Sequence, residues 1–151
     1  MKILKVREVK TPTRGTSQSA GLDFYVPTDL AIGKISIELA PGEACKIPSG
    51  IKAKVPKGMA LVAFNKSGVA LSKGLQVGAC VVDEDYQGEI HIHLTNTSND
   101  TCNVWLGEKI VQFLLLPVSY EGVEVCKSEN DLYGGEVTER GEGGFGSTNK
   151  S

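Results

Sequence analysis

Apolar and polar positions along this chain alternate in short stretches. Residues 89–96 read EIHIHLTN, with Ile90, Ile92 and Leu94 interleaved with His91, His93 and Thr95. A period of two sends the first set to one face of a β-strand and the second set to the other. Residues 109–118, KIVQFLLLPV, are apolar on both faces and read as a buried strand. Residues 35–39, 45–51 and 60–64 read as further strands, and the Gly78–Glu89 segment reads as a β-hairpin. Turn signals recur at Pro41-Gly42, Ser49-Gly50, Lys57-Gly58, Tyr86-Gln87-Gly88 and Gly134-Gly135. Helical spacing is confined to residues 67–73, SGVALSK, barely two turns. Many short strands joined by tight turns predict an all-β sandwich or barrel.

Neither a repeat nor a linker divides the 151 residues, so the reading is one domain: a β core over 1–133 and a Gly-rich arm over 134–151. The arm is short of core residues and on its own predicts a mobile tail. The formal net charge of −2 argues against a broad basic face for nucleic acid, yet leaves room for a local cationic pocket that takes a small polyanion. The four cysteines, Cys45, Cys80, Cys102 and Cys126, form no C-x-x-C pair and predict reduced, mostly buried thiols. The N-terminal MKILKVREVKT lacks the apolar run of a signal peptide, and no stretch reaches the length of a membrane span. The expectation is a cytosol-like location, with no membrane or nucleic-acid partner.

Three constellations can carry chemistry. Residues 140–148, RGEGGFGST, contain a formal G-x-G-x-x-G, but a dinucleotide fold needs that motif between a strand and a helix, and here the chain ends five residues later. A P-loop is excluded as well, since no Lys stands between Gly146 and Ser147. The glycines still let backbone N–H groups converge on oxygens, Arg140 adds a planar cationic fork, Ser147 and Thr148 add hydroxyls, and Phe145 can stack on a flat ring. The second constellation, GACVVDEDYQGE over 78–89, sets Asp83 after two valines, where a carboxylate at the mouth of an apolar pocket can act as a general base; the plain alternative is a solvated turn residue. The third is Asn65-Lys66-Ser67-Gly68 at the start of the short helix, either a phosphate site or a plain N-cap formed by Asn65 or Ser67. His91 and His93 share a strand face without a third ligand of their kind, and Asp23 is either a metal- or water-orienting carboxylate or a turn residue.

In order along the chain, these segments resemble the five motifs of the trimeric dUTPase family: Ala20-Gly-Leu-Asp-Phe24; Lys66-Ser-Gly68 with Lys73-Gly74; the whole of Gly78–Glu89; Gly107-Glu-Lys-Ile-Val-Gln112; and Arg140 through Thr148. The resemblance implies a jelly-roll-like β-barrel of the β-clip type, with one short helix and a flexible C-terminal arm. It implies a homotrimer with three sites between subunits, each closed by an arm from a neighbouring copy. The implied reaction is hydrolysis of dUTP to dUMP and pyrophosphate with Mg²⁺. Asp83 matches the general base that activates water against the α-phosphorus. Lys66, Ser67, Gly68 and Gln112 match phosphate-contacting positions, as do Arg140, Gly146, Ser147 and Thr148 on the arm. Phe145 matches the residue stacked on uracil and Tyr86 the one packed on deoxyribose, leaving no room for a 2′-hydroxyl. Val77, Cys80, Val81, Val82 and His91 belong to the segment that reads the base. Asp23 matches a carboxylate that reaches the metal through water. Lys66 and Lys109 stand where the family usually has Arg, and Cys80 where it often has Gly. A dCTP deaminase of the same fold and a non-catalytic nucleotide-binding trimer are the alternative readings.

Overall fold

The alternation in residues 89–96 becomes strand β9 (His91–Asn96) with its approach, burying Ile90, Ile92 and Leu94 to 1% exposure while His91 stays exposed. In the computed structural model, which describes residues 1–30 and 33–144, the other strands are β1 (Lys2–Lys5), β2 (Leu22–Tyr25), β3 (Ser36–Leu39), β4 (Ala44–Pro48), β5 (Ile51–Lys54), β6 (Met59–Asn65), β7 (Leu75–Val77), β8 (Val81–Val82), β10 (Cys102–Trp105) and β11 (Lys109–Pro117). Two short helices are α1 (Ser67–Lys73) and α2 (Glu129–Tyr133).

All pairings are antiparallel and form four sheets: β2-β11-β6-β8, β4-β9-β7, β1-β5 and β3-β10. This is the predicted all-β class. The central strand is β11, flanked by β2 and β6 as its two-sided apolarity predicts, with Ile110, Val111 and Phe113 fully buried. Phe113 packs on Phe24, ring centroids 4.4 Å apart.

Three local expectations are corrected. Residues 45–51 are not one strand: at Gly50 the backbone turns to φ +73°, and the run splits into β4 and β5, which join different sheets. Nor do residues 78–89 form a hairpin by themselves. After β7 the chain crosses to pair β8 with β6, then returns to lay β9 beside β7, with Val77 opposite Leu94. The valines of β8 therefore complete one sheet while their flanks belong to another, because Val82 buries into the core on the β6 side. Finally, a second helix exists. Ser128 accepts a hydrogen bond from the Asp131 amide at 3.1 Å as N-cap, acidic residues occupy the first turn, and Gly134 closes the helix in the left-handed region.

The chain forms two compact units, Met1–Ser119 and Tyr120–Ser151. The first holds every buried apolar residue among those described. The second buries no side chain in α2 and exposes Tyr120, Val123, Val125, Leu132, Tyr133 and Val137. Ordering a backbone costs about 1–2 kcal/mol per residue, and this segment builds no core of its own to offset that cost. Among the described residues no helix is long and apolar enough to cross a membrane.

Candidate active site

The crossing of β8 creates a cleft of about 160 Å³. It is lined by Cys80, Val81, Val82, Asp83, Tyr86 and His91, all expected on sequence grounds, together with Ala79, Ile90 and Phe113. Ala79 belongs to the segment expected to read the base; Ile90 and Phe113 were read as strand residues, and only the fold shows that they also form the floor of a cleft. Val77 is not among the lining residues and sits in the β7–β9 ladder. Asp83 is exposed at the mouth, one residue beyond buried Val82, so an acidic oxygen borders an apolar floor.

Local hydrogen bonds set this loop. The Tyr86 amide donates to the Asp83 carbonyl at 3.3 Å, forming the turn. The Tyr86 hydroxyl donates to the Glu89 carbonyl at 2.9 Å. His91 Nδ1 lies 2.9 Å from the same carbonyl; because a carbonyl can only accept, the imidazole carries its proton on Nδ1. A side chain on Gly88 would collide with the phenol, its Cβ falling 2.2 Å from Tyr86 Oη. His93 turns from the cleft to pack on Gly78, and its Nδ1 is buried without a hydrogen-bond partner.

A second group gathers where β2, β6 and β11 meet the start of α1. Asp23, only 4% exposed, binds Lys66 Nζ through Oδ1 and lies 3.2 Å from Lys109 Nζ through Oδ2. Burial of this carboxylate is tolerable because both oxygens face cations. Gln112 sits opposite Asp23 in register and donates from Nε2 to the Asn65 carbonyl at 2.8 Å. Lys66 is the N-cap residue of α1, and no side chain caps the helix. The expected caps are otherwise placed: Asn65 accepts from the Val77 amide at 2.7 Å and binds Gln76, while Ser67 and Gly68 lie exposed in the first turn. Lys73, in the last turn, is tied to Glu108 at 2.6 Å.

Gln112 and Phe113 are adjacent on β11 and therefore project to opposite faces. Within one copy, the cationic group around Asp23 lies across the sheet from the Asp83 cleft. On the arm, Arg140 Nε donates to the Gly143 carbonyl at 2.7 Å; Phe145, Gly146, Ser147 and Thr148 fall outside the described residues. Among the described residues no three His, Cys, Asp or Glu side chains converge as a metal cluster. The four cysteines are free, and the expected burial holds fully only for Cys102; Cys126 is exposed. Burial pushes the thiols of Cys45 and Cys102 up, keeping them protonated.

The dUTPase family profile matches residues 7–149. The deoxyuridine 5'-triphosphate nucleotidohydrolase of Yarrowia lipolytica is 37% identical over 142 residues, covering 92% of this chain and 82% of that protein. The Mus musculus enzyme of the same name is 34% identical over 140 residues, covering 93% and 78%. The fold matches the dUTPase of Staphylococcus bacteriophage 80alpha, described with dUpNHpp, at a TM-score of 0.81 and 19% identity over 97% of this chain and 96% of that one. It also matches the phage phi11 dUTPase, described with a structural Mg(II) ion, at a TM-score of 0.74 and 17% identity over 84% and 96%. With the motifs in order, the strand pairing that frames them and a family match over nearly its whole length, this chain belongs to the dUTPase family.

Proposed function

We propose that the protein hydrolyses dUTP to dUMP and pyrophosphate in a site assembled from more than one copy of the chain. The carrying observation is the cleft beside β8, where Asp83 stands at the edge of an apolar floor of Val82, Ile90 and Phe113, beside Tyr86. In this reading Asp83 accepts a proton from the water that attacks the α-phosphorus. Its exposed position allows it to reach that water.

The pyrimidine lies against Cys80, Val81, Val82 and His91 on the cleft wall, while Val77, in the β7–β9 ladder, stays outside it. Uracil offers one N–H donor between two carbonyl acceptors, and cytosine reverses the polarity of two of these groups. A frame built for uracil leaves cytosine with unpaired buried groups, which discriminates by roughly 10⁴. A rigid wall rejects thymine, since overpacking costs about 1–3 kcal/mol. Tyr86 packs on the sugar and excludes a 2′-hydroxyl. Lys66, Ser67, Gly68 and Gln112 bind phosphate oxygens, with Asp23 holding the Lys66 ammonium in place.

That group lies on the opposite face of β11 from the Asp83 cleft, so one copy does not complete a site. A homotrimer, with the arm carrying Arg140, Phe145, Gly146, Ser147 and Thr148 laid over a neighbour, supplies the missing parts. It also gives Val137 on the arm, and the exposed apolar residues that precede it, something to pack on. Mg²⁺ fits this donor set: it favours one or two carboxylates plus substrate phosphates and retained waters rather than an all-protein cage. Asp23, expected to reach it through water, already has both oxygens on Lys66 and Lys109, so the ion would rest mainly on the substrate phosphates, whose charge it would offset. Free thiols fit a reducing, cytosol-like setting.

Incubation with Mg²⁺ and dUTP or dCTP, assaying pyrophosphate and ammonia, tests this reading. Pyrophosphate from dUTP is expected. Ammonia from dCTP would indicate a deaminase, and nucleotide binding without turnover a regulator.

A further inference from the structure

Glu89 is a junction between the cleft and the N-terminal segment. Its carbonyl holds two cleft side chains, Tyr86 and His91, each at 2.9 Å. Its carboxylate faces the other way. Oε1 accepts from Arg7 Nε at 2.8 Å and from the Gly50 amide at 2.8 Å, and Oε2 accepts from Arg7 Nη2 at 3.4 Å. The N-terminal segment is laced to the same turn. The Val6 amide donates to the Gly50 carbonyl at 2.8 Å, and a Cβ on Gly50 would fall 2.8 Å from Val9 Cγ1 and 3.1 Å from Arg7 Cβ. Arg7, far from Tyr86 in sequence and outside the five motifs, is thus one residue removed from the carbonyl on which the Tyr86 phenol rests.

We propose that Arg7 and Glu89 form a positioning pair that sets the sugar discrimination of the site by fixing the Tyr86 ring through the Glu89 backbone. This rests on the reading of Tyr86 as the deoxyribose platform. The phenol is 43% exposed, and Gly88 offers it bare backbone rather than a side-chain wall. Its hydroxyl anchor on Glu89 therefore carries most of its orientation, and the anchor moves if residue 89 moves. Loss of the guanidinium removes two of the three hydrogen bonds on the Glu89 carboxylate and leaves the Gly50 amide alone to hold it, which gives residue 89 room to shift. The side chains of Arg7 and Glu89 are 35% and 16% exposed, so a surface-like pair of this kind adds little to global stability. A role in positioning therefore separates from a role in folding.

The experiment measures kcat and KM for dUTP and UTP with Mg²⁺, by pyrophosphate release, in the full-length protein. Arg7→Met, Glu89→Gln, Arg7→Lys and Tyr86→Ala are compared with the parent. Arg7→Met and Glu89→Gln are each expected to lower the dUTP-to-UTP ratio of kcat/KM about tenfold, the scale of a small misplacement in a packed site. Arg7→Lys, which keeps one charged hydrogen bond, should restore most of the ratio. Thermal midpoints should stay near that of the parent, and if Glu89→Gln folds poorly, Arg7→Met carries the test. An unchanged ratio in Arg7→Met, alongside a lowered ratio in Tyr86→Ala, overturns the pair while sparing the platform. An unchanged ratio in Tyr86→Ala overturns the platform, and the pair with it.

Discussion

Replacing Gly21 with alanine should damage both stability and phosphate binding, and the geometry sets the size of the effect. Gly21 immediately precedes β2 and packs under Gln112. A Cβ added there would lie 2.5 Å from Gln112 Oε1, 2.9 Å from its Cβ and 3.1 Å from its Cδ. The Gly21 backbone needs no left-handed conformation, so the penalty is steric. The amide end of Gln112 can swing aside, but its Cβ cannot, because β11 is paired on one side with β2 and on the other with β6. Overpacking of this kind costs about 1–3 kcal/mol. Swinging the amide away also breaks the 2.8 Å bond to the Asn65 carbonyl, a further loss of about 1 kcal/mol. The sum, roughly 2–4 kcal/mol, lowers the thermal midpoint by roughly 4–16 °C for a chain of this size. Calorimetry at one fixed protein concentration measures it, since the midpoint of an oligomer varies with concentration. Steady-state pyrophosphate release should show KM for dUTP rising more than kcat falls, because the Asp83 cleft lies on the other face of β11. Gln112→Ala removes two of the three contacts, so the double variant should be more stable than the sum of the single effects by about 1 kcal/mol or more. Additive effects, or an unaltered midpoint together with an unaltered KM, would refute the steric argument.

Asp83→Asn should cut turnover by about 10²–10⁴ while calorimetric dUTP binding survives; near-normal turnover would remove Asp83 from the role of base. Deleting residues 138–151 should abolish most turnover without altering the far-UV circular dichroism or sedimentation of the remainder, and an undiminished rate would show that the arm is not part of the site. Acid sensitivity should include a contribution from Glu89. Burial raises its carboxyl, but the Arg7 guanidinium and the Gly50 amide outweigh that and hold it below its ordinary value of 4.5. A depressed carboxyl stabilises the fold above its unfolded value, and this stabilisation fades as pH falls through the folded value. Urea titrations should therefore show the small neutral-pH stability gap between the parent and Arg7→Met closing in that acid range. A gap that stays constant from neutral pH down through the acid range would contradict this assignment.

Much of the site was legible because local chemistry announces itself locally. Two valines before Asp83, a Tyr three residues on and alternation after Glu89 each report a single segment's environment, and the cleft contains Asp83, Tyr86 and His91 together. The signals that failed were those whose meaning depends on a distant partner. Asn65 is a residue type that caps helices, yet its side-chain oxygen accepts from the Val77 amide on β7, a strand of another sheet. Val81 and Val82 look like one arm of a hairpin, yet β6 offers them a ladder and a core that β9 does not. Phe113 looked like core and is also cleft floor. Arg7 carries no local signal, because nothing in its neighbourhood names Glu89.

The sequence by itself determined the all-β class, the strand positions with clear periodicity, the turns at Gly42, Gly58 and Gly134, and the family to which the motifs belong. Those features depend on side-chain alternation, glycine's conformational freedom and residue order, all properties of adjacent positions. Only the tertiary structure decided which strands share a sheet, that Asp23 is held between Lys66 and Lys109, and that Gln112 and Phe113 part company across β11. Each of those outcomes is settled by competition among distant segments for the same hydrogen-bonding edge or the same buried volume. Such a competition has no local signature in a chain read one window at a time.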